Sequence, residues 1–289
     1  MIKNEQELRA KIATCTGSLK CKFEGTNGKR ALIVCGGTGC LSSDSAAIIE
    51  EIERQIKERG LEEKVSVNKV GCFGFCSQGP FVKIFPEDTL YRGVSVKDVE
   101  EIFEKDILNG EVVERLLYKD PITGGLIQKQ EDINFYKKQL RIALHGCGTI
   151  NPEQIEEALG AGAFQGLLRA LTMTPQQVID EVLASGLRGR GGGGFPTGRK
   201  WQFARNQENA VKYVVCNGDE GDPGAFMDRS ILEGNPLAVI EGMMIAGYAI
   251  GAQNGYFYVR AEYPIAVERL RIAIKQAREL GLLGENILG

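Results

Sequence analysis

A single histidine in 289 residues, His145, leaves no material for a Ser-His-Asp or Cys-His catalytic set. It is read as a packing or capping residue beside Gly146-Cys147-Gly148. No run of about 18 apolar residues occurs, so no membrane-inserted helix is expected. The opening Met1-Ile2-Lys3-Asn4-Glu5-Gln6-Glu7 also lacks the apolar core of a signal peptide. Neither charge sign dominates: 38 acids against 35 bases leave a net charge of −3, which gives no global field for holding nucleic acid or an anionic membrane. Any anion site must therefore be local. No internal repeat is visible, and 43% apolar residues exclude a disordered chain. The expected compartment is the cytoplasm.

Cysteine, by contrast, is present eight times. Reducing compartments disfavour disulfides, so grouped cysteines there point to metal or redox chemistry. Cys35, Cys40, Cys72 and Cys76 form two close pairs, whereas Cys15, Cys21, Cys147 and Cys216 are scattered. Only the first four look like a site, and Cys15 and Cys21 are read as free thiols.

The periodicity predicts a short helix over 2–13, a turn at Glu24-Gly25-Thr26-Asn27-Gly28 and a strand Ala31-Leu32-Ile33-Val34 ending at Cys35. Ser43 is expected to cap a helix carrying Ile48, Ile49, Ile52 and Ile56, stopped by Gly60. Val65, Val67 and Val70 mark a strand leading to Cys72. Phe81 to Phe85 and Leu90 to Val94 flank a turn at Pro86-Glu87-Asp88, and 96–108 reads as a helix. This order, β-α-β-β-β-α, suggests a thioredoxin-like unit over 1–110. Residues 111–140 are charged and weakly patterned and are read as a linker. Over 141–289, helices at 152–159, 163–171, 175–184 and 199–206, a strand at 213–215, a helix at 236–250, a strand at 255–259 and a helix at 264–280 give an α/β pattern.

The four grouped cysteines follow C-x4-C and C-x3-C, each pair in a loop just after a strand. Two neighbouring strand ends can bring four thiolates together, and soft sulfur suits iron. Gly36, Gly37, Gly39, Gly71 and Gly74 leave amides free to face cluster sulfides. A structural four-thiolate zinc site and buried free thiols remain alternatives, although zinc favours tighter C-x2-C knuckles. Cys35-x4-Cys40 with Cys72-Phe73-Gly74-Phe75-Cys76 resembles the ligand set of thioredoxin-like [2Fe–2S] ferredoxins, over about residues 30–110.

From Gly186 to Trp201 the chain contains a literal G-x-G-x-x-G at Gly189–Gly194. A Rossmann assignment is rejected, because helical periodicity rather than a strand precedes it. Consecutive glycines still let amides converge on an anion. Arg188, Arg190, Arg199, Lys200 and Arg205 add positive charge, and Phe195, Trp201 and Phe203 offer rings for stacking. A single RGG-like RNA segment or a plain flexible loop are the competing readings. The acidic loop Cys216-Asn217-Gly218-Asp219-Glu220-Gly221-Asp222-Pro223-Gly224 follows a strand end, where α/β folds place ligands. A solvated acidic turn is the alternative.

Together with Ile150-Asn151-Pro152 and Glu241-Gly242-Met243, these loops resemble the flavin-carrying, NADH-oxidising subunit family of complex I, electron-bifurcating hydrogenases and NAD-dependent formate dehydrogenases. The fold implied is α/β: a thioredoxin-like [2Fe–2S] domain followed by a partial flavin-binding domain of the complex I flavoprotein type. The resemblance implies that Gly189, Arg190, Gly191, Gly192, Lys200, Asn217, Asp219 and Glu220 hold FMN. Phe195, Phe203 and Asp222 would face NAD(H) or NADP(H), with no protein residue catalytic because the flavin carries the chemistry. The family usually has glutamate where Asp222 stands, which leaves the choice of NAD or NADP open. Family members also continue past Asn286-Ile287-Leu288-Gly289, so an N-terminal fragment with an incomplete flavin site is expected. The fused order points to an electron-transfer subunit of an NAD(P)-linked hydrogenase type, partnered by other iron–sulfur subunits. A non-enzymatic [2Fe–2S] relay or docking module is the alternative.

Overall fold

A computed structural model describes residues 1–26 and 28–289; the turn expected at 24–28 includes Asn27, which lies outside the described residues. The chain divides into two compact units. One contains residues 9–161 with 233–235, the other 1–8, 162–232 and 236–289.

The first unit takes most of α1 (Glu5–Glu24) and then runs β1 (Arg30–Cys35), α2 (Thr38–Leu41), α3 (Ser45–Glu58), β2 (Val65–Val70), β3 (Val82–Phe85), β4 (Thr89–Tyr91) and α4 (Asp98–Glu101). α4 continues as a π-wound stretch, Ile102–Ile107. The sheet order is β2-β1-β3-β4, with β1 parallel to β2 and antiparallel to β3. Period-2 alternation explains why β1 can be central: Leu32 and Val34 face a core with Ile48, Ile52 and Phe103, while Ile33 and Cys35 face one with Phe73, Phe81 and Leu90. Each such side chain, fully buried, stabilises by about 1.5–3 kcal/mol.

Three expectations for this unit need correction. α1 extends to Glu24 rather than 13, because a tertiary contact offsets the weak helix formers: Cys15 is buried and the Thr16 hydroxyl donates to the Gly160 carbonyl at 3.2 Å. Ser43 does not cap α3; Asp44, in the left-handed region, precedes it without a side-chain cap. The stretch 111–140 is not a free linker. It forms β5 (Tyr118–Lys119), β6 (Leu126–Ile127) and α5 (Asn134–Lys137). Val113, Leu116 and Leu117 enter one core, and Ile133 and Tyr136 the other. Its apolar residues come in short groups broken by charged and turn residues, so no sustained period reveals them. α6 (Ile155–Gly160) closes the unit.

The second unit comprises α7 (Gln165–Leu171), α8 (Pro175–Ala184), α9 (Thr197–Arg205), β7 (Tyr213–Gly218), α10 (Met227–Gly234), α11 (Pro236–Ile250), β8 (Asn254–Val259) and α12 (Pro264–Glu279), α10 lending its end to the first unit. A capping box between Thr174 and Gln177, with Pro175 at the first position, starts α8. α11 packs against α7, α8, α9, α12 and the strands. β7 and β8 pair in parallel, extending the expected 213–215 strand through Asn217↔Tyr258 and Gly218↔Val259. Among the described residues no helix is long and apolar enough to cross a membrane.

Candidate cluster site and flavin-type loops

The parallel pairing of β1 and β2, in register at Cys35↔Val70, places the two cysteine loops side by side. Cys35 and Cys40 are buried, Cys72 is half-buried and Cys76 is exposed. Two glycines permit the approach: a Cβ on Gly37 would lie 2.9 Å from Cys72 Cβ, and one on Gly79 would lie 2.6 Å from Cys40 Sγ. The Gly74 amide, at φ +85°, donates to Cys72 Sγ at 3.2 Å. Cys72 and Cys76 sulfurs are 3.5 Å apart. Cys35 contacts both Cys40 and Cys72, which completes a chain of four thiols.

Thiols packed this closely favour their neutral, protonated form. The hydrogen bond with Cys40 and burial push the Cys35 thiol up to about 12, and the one with Cys35 pushes Cys72 up to about 11. A metal cluster supplies the positive charge that four thiolates require. Among the described residues no group of three or more His, Cys, Asp or Glu side chains is arranged to hold a single metal ion. Four thiols drawn from two adjacent loops are the all-sulfur donor set that a [2Fe–2S] cluster takes, and the residues therefore fit that group.

Sequence reasoning missed an aromatic cover on the second loop. Phe75 stacks on Phe135 with centroids 4.3 Å apart and also contacts Tyr118 and Tyr136. The Tyr136 hydroxyl donates to the Phe73 carbonyl at 3.1 Å. These rings belong to the stretch expected to be a linker; the cluster of aromatics at 118, 135 and 136 was the available signal. His145 is engaged by the main chain, its ring nitrogen meeting the Ala161 carbonyl at 3.2 Å.

In the second unit the glycine-rich loop is pinched at its base. The Gly189 amide donates to the Phe195 carbonyl at 2.8 Å, and that of Thr197 to the Leu187 carbonyl at 2.9 Å. Beyond the pinch Arg190, Gly191 and Gly192 are exposed, and a Cβ on Gly191, Gly192 or Gly193 would meet nothing within 4 Å. α9 begins immediately after the loop, with Lys200 exposed in its first turn. Gly198 lets α9 press on α8, since a Cβ there would lie 2.6 Å from Leu183 Cγ. Phe195 and Phe203 are brought together, centroids 6.2 Å apart, both exposed. Two members of the basic and aromatic set are otherwise engaged: Arg205 donates to the Ala249 carbonyl at 2.9 Å, and Trp201 packs into a core with Val178 and Ile179.

The acidic loop splits in the same way. Asn217 lies on β7 and accepts from the Asp219 amide at 3.0 Å. Asp219 lies 3.8 Å from Arg260, and Asp222 is exposed. Glu220 is buried and turned inward, accepting from the amides of Met227, Asp228 and Arg229. It thus caps α10 from seven residues upstream of Met227, which explains why no local start signal announces that helix. Asp228 beside it is pushed above the ordinary carboxylate value by burial and by Glu220.

Residues 20–106 match the thioredoxin-like [2Fe–2S] ferredoxin family, and residues 182–286 match the Nuo51 FMN-binding domain. The two matches lie one after the other along the chain, the first over the unit with the four cysteines and the second over the glycine-rich and acidic loops. It is 59% identical over 153 residues, 53% of this chain and 31% of the relative, to the NADP-reducing hydrogenase subunit HndC of Solidesulfovibrio fructosivorans. Identity is 52% over 47% of this chain and 32% of the relative for an NADH-quinone oxidoreductase subunit of Aquifex aeolicus. It is 48% over 42% of this chain and 20% of the relative for NAD-reducing hydrogenase HoxS subunit alpha of Cupriavidus necator. The chain spans about a third or less of the length of these curated relatives.

Proposed function

We propose that this chain is an electron-transfer segment of an NAD(P)H-linked oxidoreductase of hydrogenase or complex I type, working in the cytoplasm with other iron–sulfur subunits. The observation that carries the reading is the row of four thiols at two adjacent strand ends. Cys35, Cys40, Cys72 and Cys76 would hold the cluster. Gly189, Arg190, Gly191, Gly192 and Lys200 would hold the phosphate of FMN, and Asn217 and Asp219 its hydroxyls. Phe195, Phe203 and Asp222 would receive NAD(P)H. When bound, FMN exchanges a hydride for single electrons and the [2Fe–2S] cluster relays them one at a time. The protein's part is to place the anion against backbone amides and Lys200, and to cover the cluster loop with Phe75 and Phe135.

One observation favours a second reading, a relay or docking module without flavin: Glu220, expected on the flavin, is committed to α10. Iron, sulfide and flavin analysis of anaerobically purified protein separates the readings. Iron and sulfide in equal amounts, lost in Cys72→Ser, support the cluster; stoichiometric zinc without sulfide refutes it. In a longer natural version of the protein, Lys200→Ala is expected to weaken FMN binding by about 1.5–3 kcal/mol, the worth of a hydrogen bond to a charged group. An unchanged flavin titration removes the phosphate from this loop.

A further inference from the structure

The tripeptide Glu233-Gly234-Asn235 follows the flavin-type loops in sequence, yet it belongs to the compact unit that carries the four cysteines. Glu233 is only 2% exposed, and Thr38 reaches both of its carboxylate oxygens. The Thr38 amide donates to Oε2 at 3.2 Å and the Thr38 hydroxyl to Oε1 at 2.5 Å. Thr38 opens α2, between Cys35 and Cys40. Gly234 meets the other loop: a Cβ on Gly71, the residue before Cys72, would stand 2.8 Å from Gly234 Cα. The tripeptide is held from behind, because a Cβ on Gly234 would lie 2.4 Å from Cys147 Sγ and Asn235 donates to the His145 carbonyl at 3.1 Å.

We propose that Glu233 is a positioning residue for the cluster, fixing the first cysteine loop through Thr38 and placing a buried carboxylate beside it that holds the reduction potential down. This rests on the assignment of the four cysteines to a [2Fe–2S] cluster. The physical argument has two parts. A loop that must present Cys35 and Cys40 at one spacing loses conformational freedom when its amide and hydroxyl are both tied to a buried partner, and a tie of this kind behind the ligands orients them. A negative charge in a low-dielectric surround opposes the arrival of an electron on the cluster, which lowers its potential. Thr38 moderates that charge by donating two hydrogen bonds to it.

The test is a redox titration of the full chain, followed by the electron paramagnetic resonance of the reduced cluster, on wild type, Glu233→Gln and Thr38→Val. Glu233→Gln keeps an acceptor for Thr38 and removes the charge. It is expected to raise the reduced-to-oxidised ratio at a fixed poise about tenfold, a shift of about 59 mV for a one-electron couple. Thr38→Val keeps the charge and removes the hydroxyl donor, so its potential is expected to move in the opposite sense. Glu233→Ala, which removes both, is expected to lose iron to a chelator several-fold faster than Glu233→Gln. A purely structural carboxylate would not give opposite potential shifts. Equal potentials in wild type, Glu233→Gln and Thr38→Val overturn the proposal while leaving the cluster assignment standing. A wild-type protein without iron and sulfide overturns the cluster assignment itself, and this inference with it.

Discussion

The cysteine loops leave a sheet buried on both faces, with Leu32 and Val34 in one core and Ile33 and Phe81 in the other. The glycine-rich and acidic loops belong to a unit whose two-stranded sheet leaves Tyr213, Val215, Tyr256 and Tyr258 largely exposed. In the first unit the β1–β2 register sets the spacing of the four cysteines proposed to hold the cluster. In the second, the candidate contacts stand on exposed backbone pinched only at its base, and part of the order must come from whatever binds.

Removing residues 111–289 is the harshest way to break this contrast. It deletes Val113, Leu116, Leu117, Ile133 and Tyr136 from the first unit's cores. At about 1.5–3 kcal/mol each, that approaches the whole stability of a domain, about 5–15 kcal/mol. Residues 1–110 alone are expected to lack a cooperative urea transition by circular dichroism. A cooperative transition there would show that the aromatic cover is dispensable.

Gly198→Ala acts on the other unit. The added methyl collides with Leu183, and overpacking of that kind costs about 1–3 kcal/mol. Hydrogen exchange is expected to speed up in α8 and α9 while β1 and β2 stay protected; equal acceleration in both would mean the units do not respond separately. Tyr136→Phe sharpens the comparison more gently, removing the hydrogen bond to the Phe73 carbonyl at a cost of about 1 kcal/mol. The loss should appear in the first unit's urea midpoint.

The smallest expected effect is one of pH. The Asp120 carboxylate accepts from the amides of Thr123 at 2.9 Å and Ile122 at 2.8 Å and from the Asn134 side chain at 3.1 Å. These bonds, the Thr123 amide first, hold it below the ordinary value of 3.8. A carboxyl lowered by folding contributes stability that is present above its unfolded value and is lost as pH falls through the folded one. Exchange protection in 118–136 should therefore fall below pH about 4, and Asp120→Asn should flatten that dependence. Unchanged protection down to the acid transition would remove Asp120 as the clasp.

Much of the first unit was legible because its signals are local. The apolar run Ala31-Leu32-Ile33-Val34, the helical spacing of Ile48, Ile52 and Ile56, and Gly60 at its positive φ each lie within or beside one element. The stretch at 111–140 was not legible, since Ile133 and Tyr136 show their value only against Phe73 and Phe81. Helix α10 escaped notice for a related reason: its cap, Glu220, arrives from across a loop.

The cysteine spacing, the glycine run and the acidic loop after a strand were determined by the sequence itself, because ligand type and backbone freedom are properties of single residues and short intervals. Tertiary structure alone decided which of them converge and which are spent elsewhere. Register between β1 and β2 brings Cys35 beside Cys72. Folding turns Glu220 away from the loop it was read in and carries Glu233 to Thr38, 195 residues earlier. A buried carboxylate takes the donors that the returning chain presents to it, and no interval along the sequence records where the chain returns.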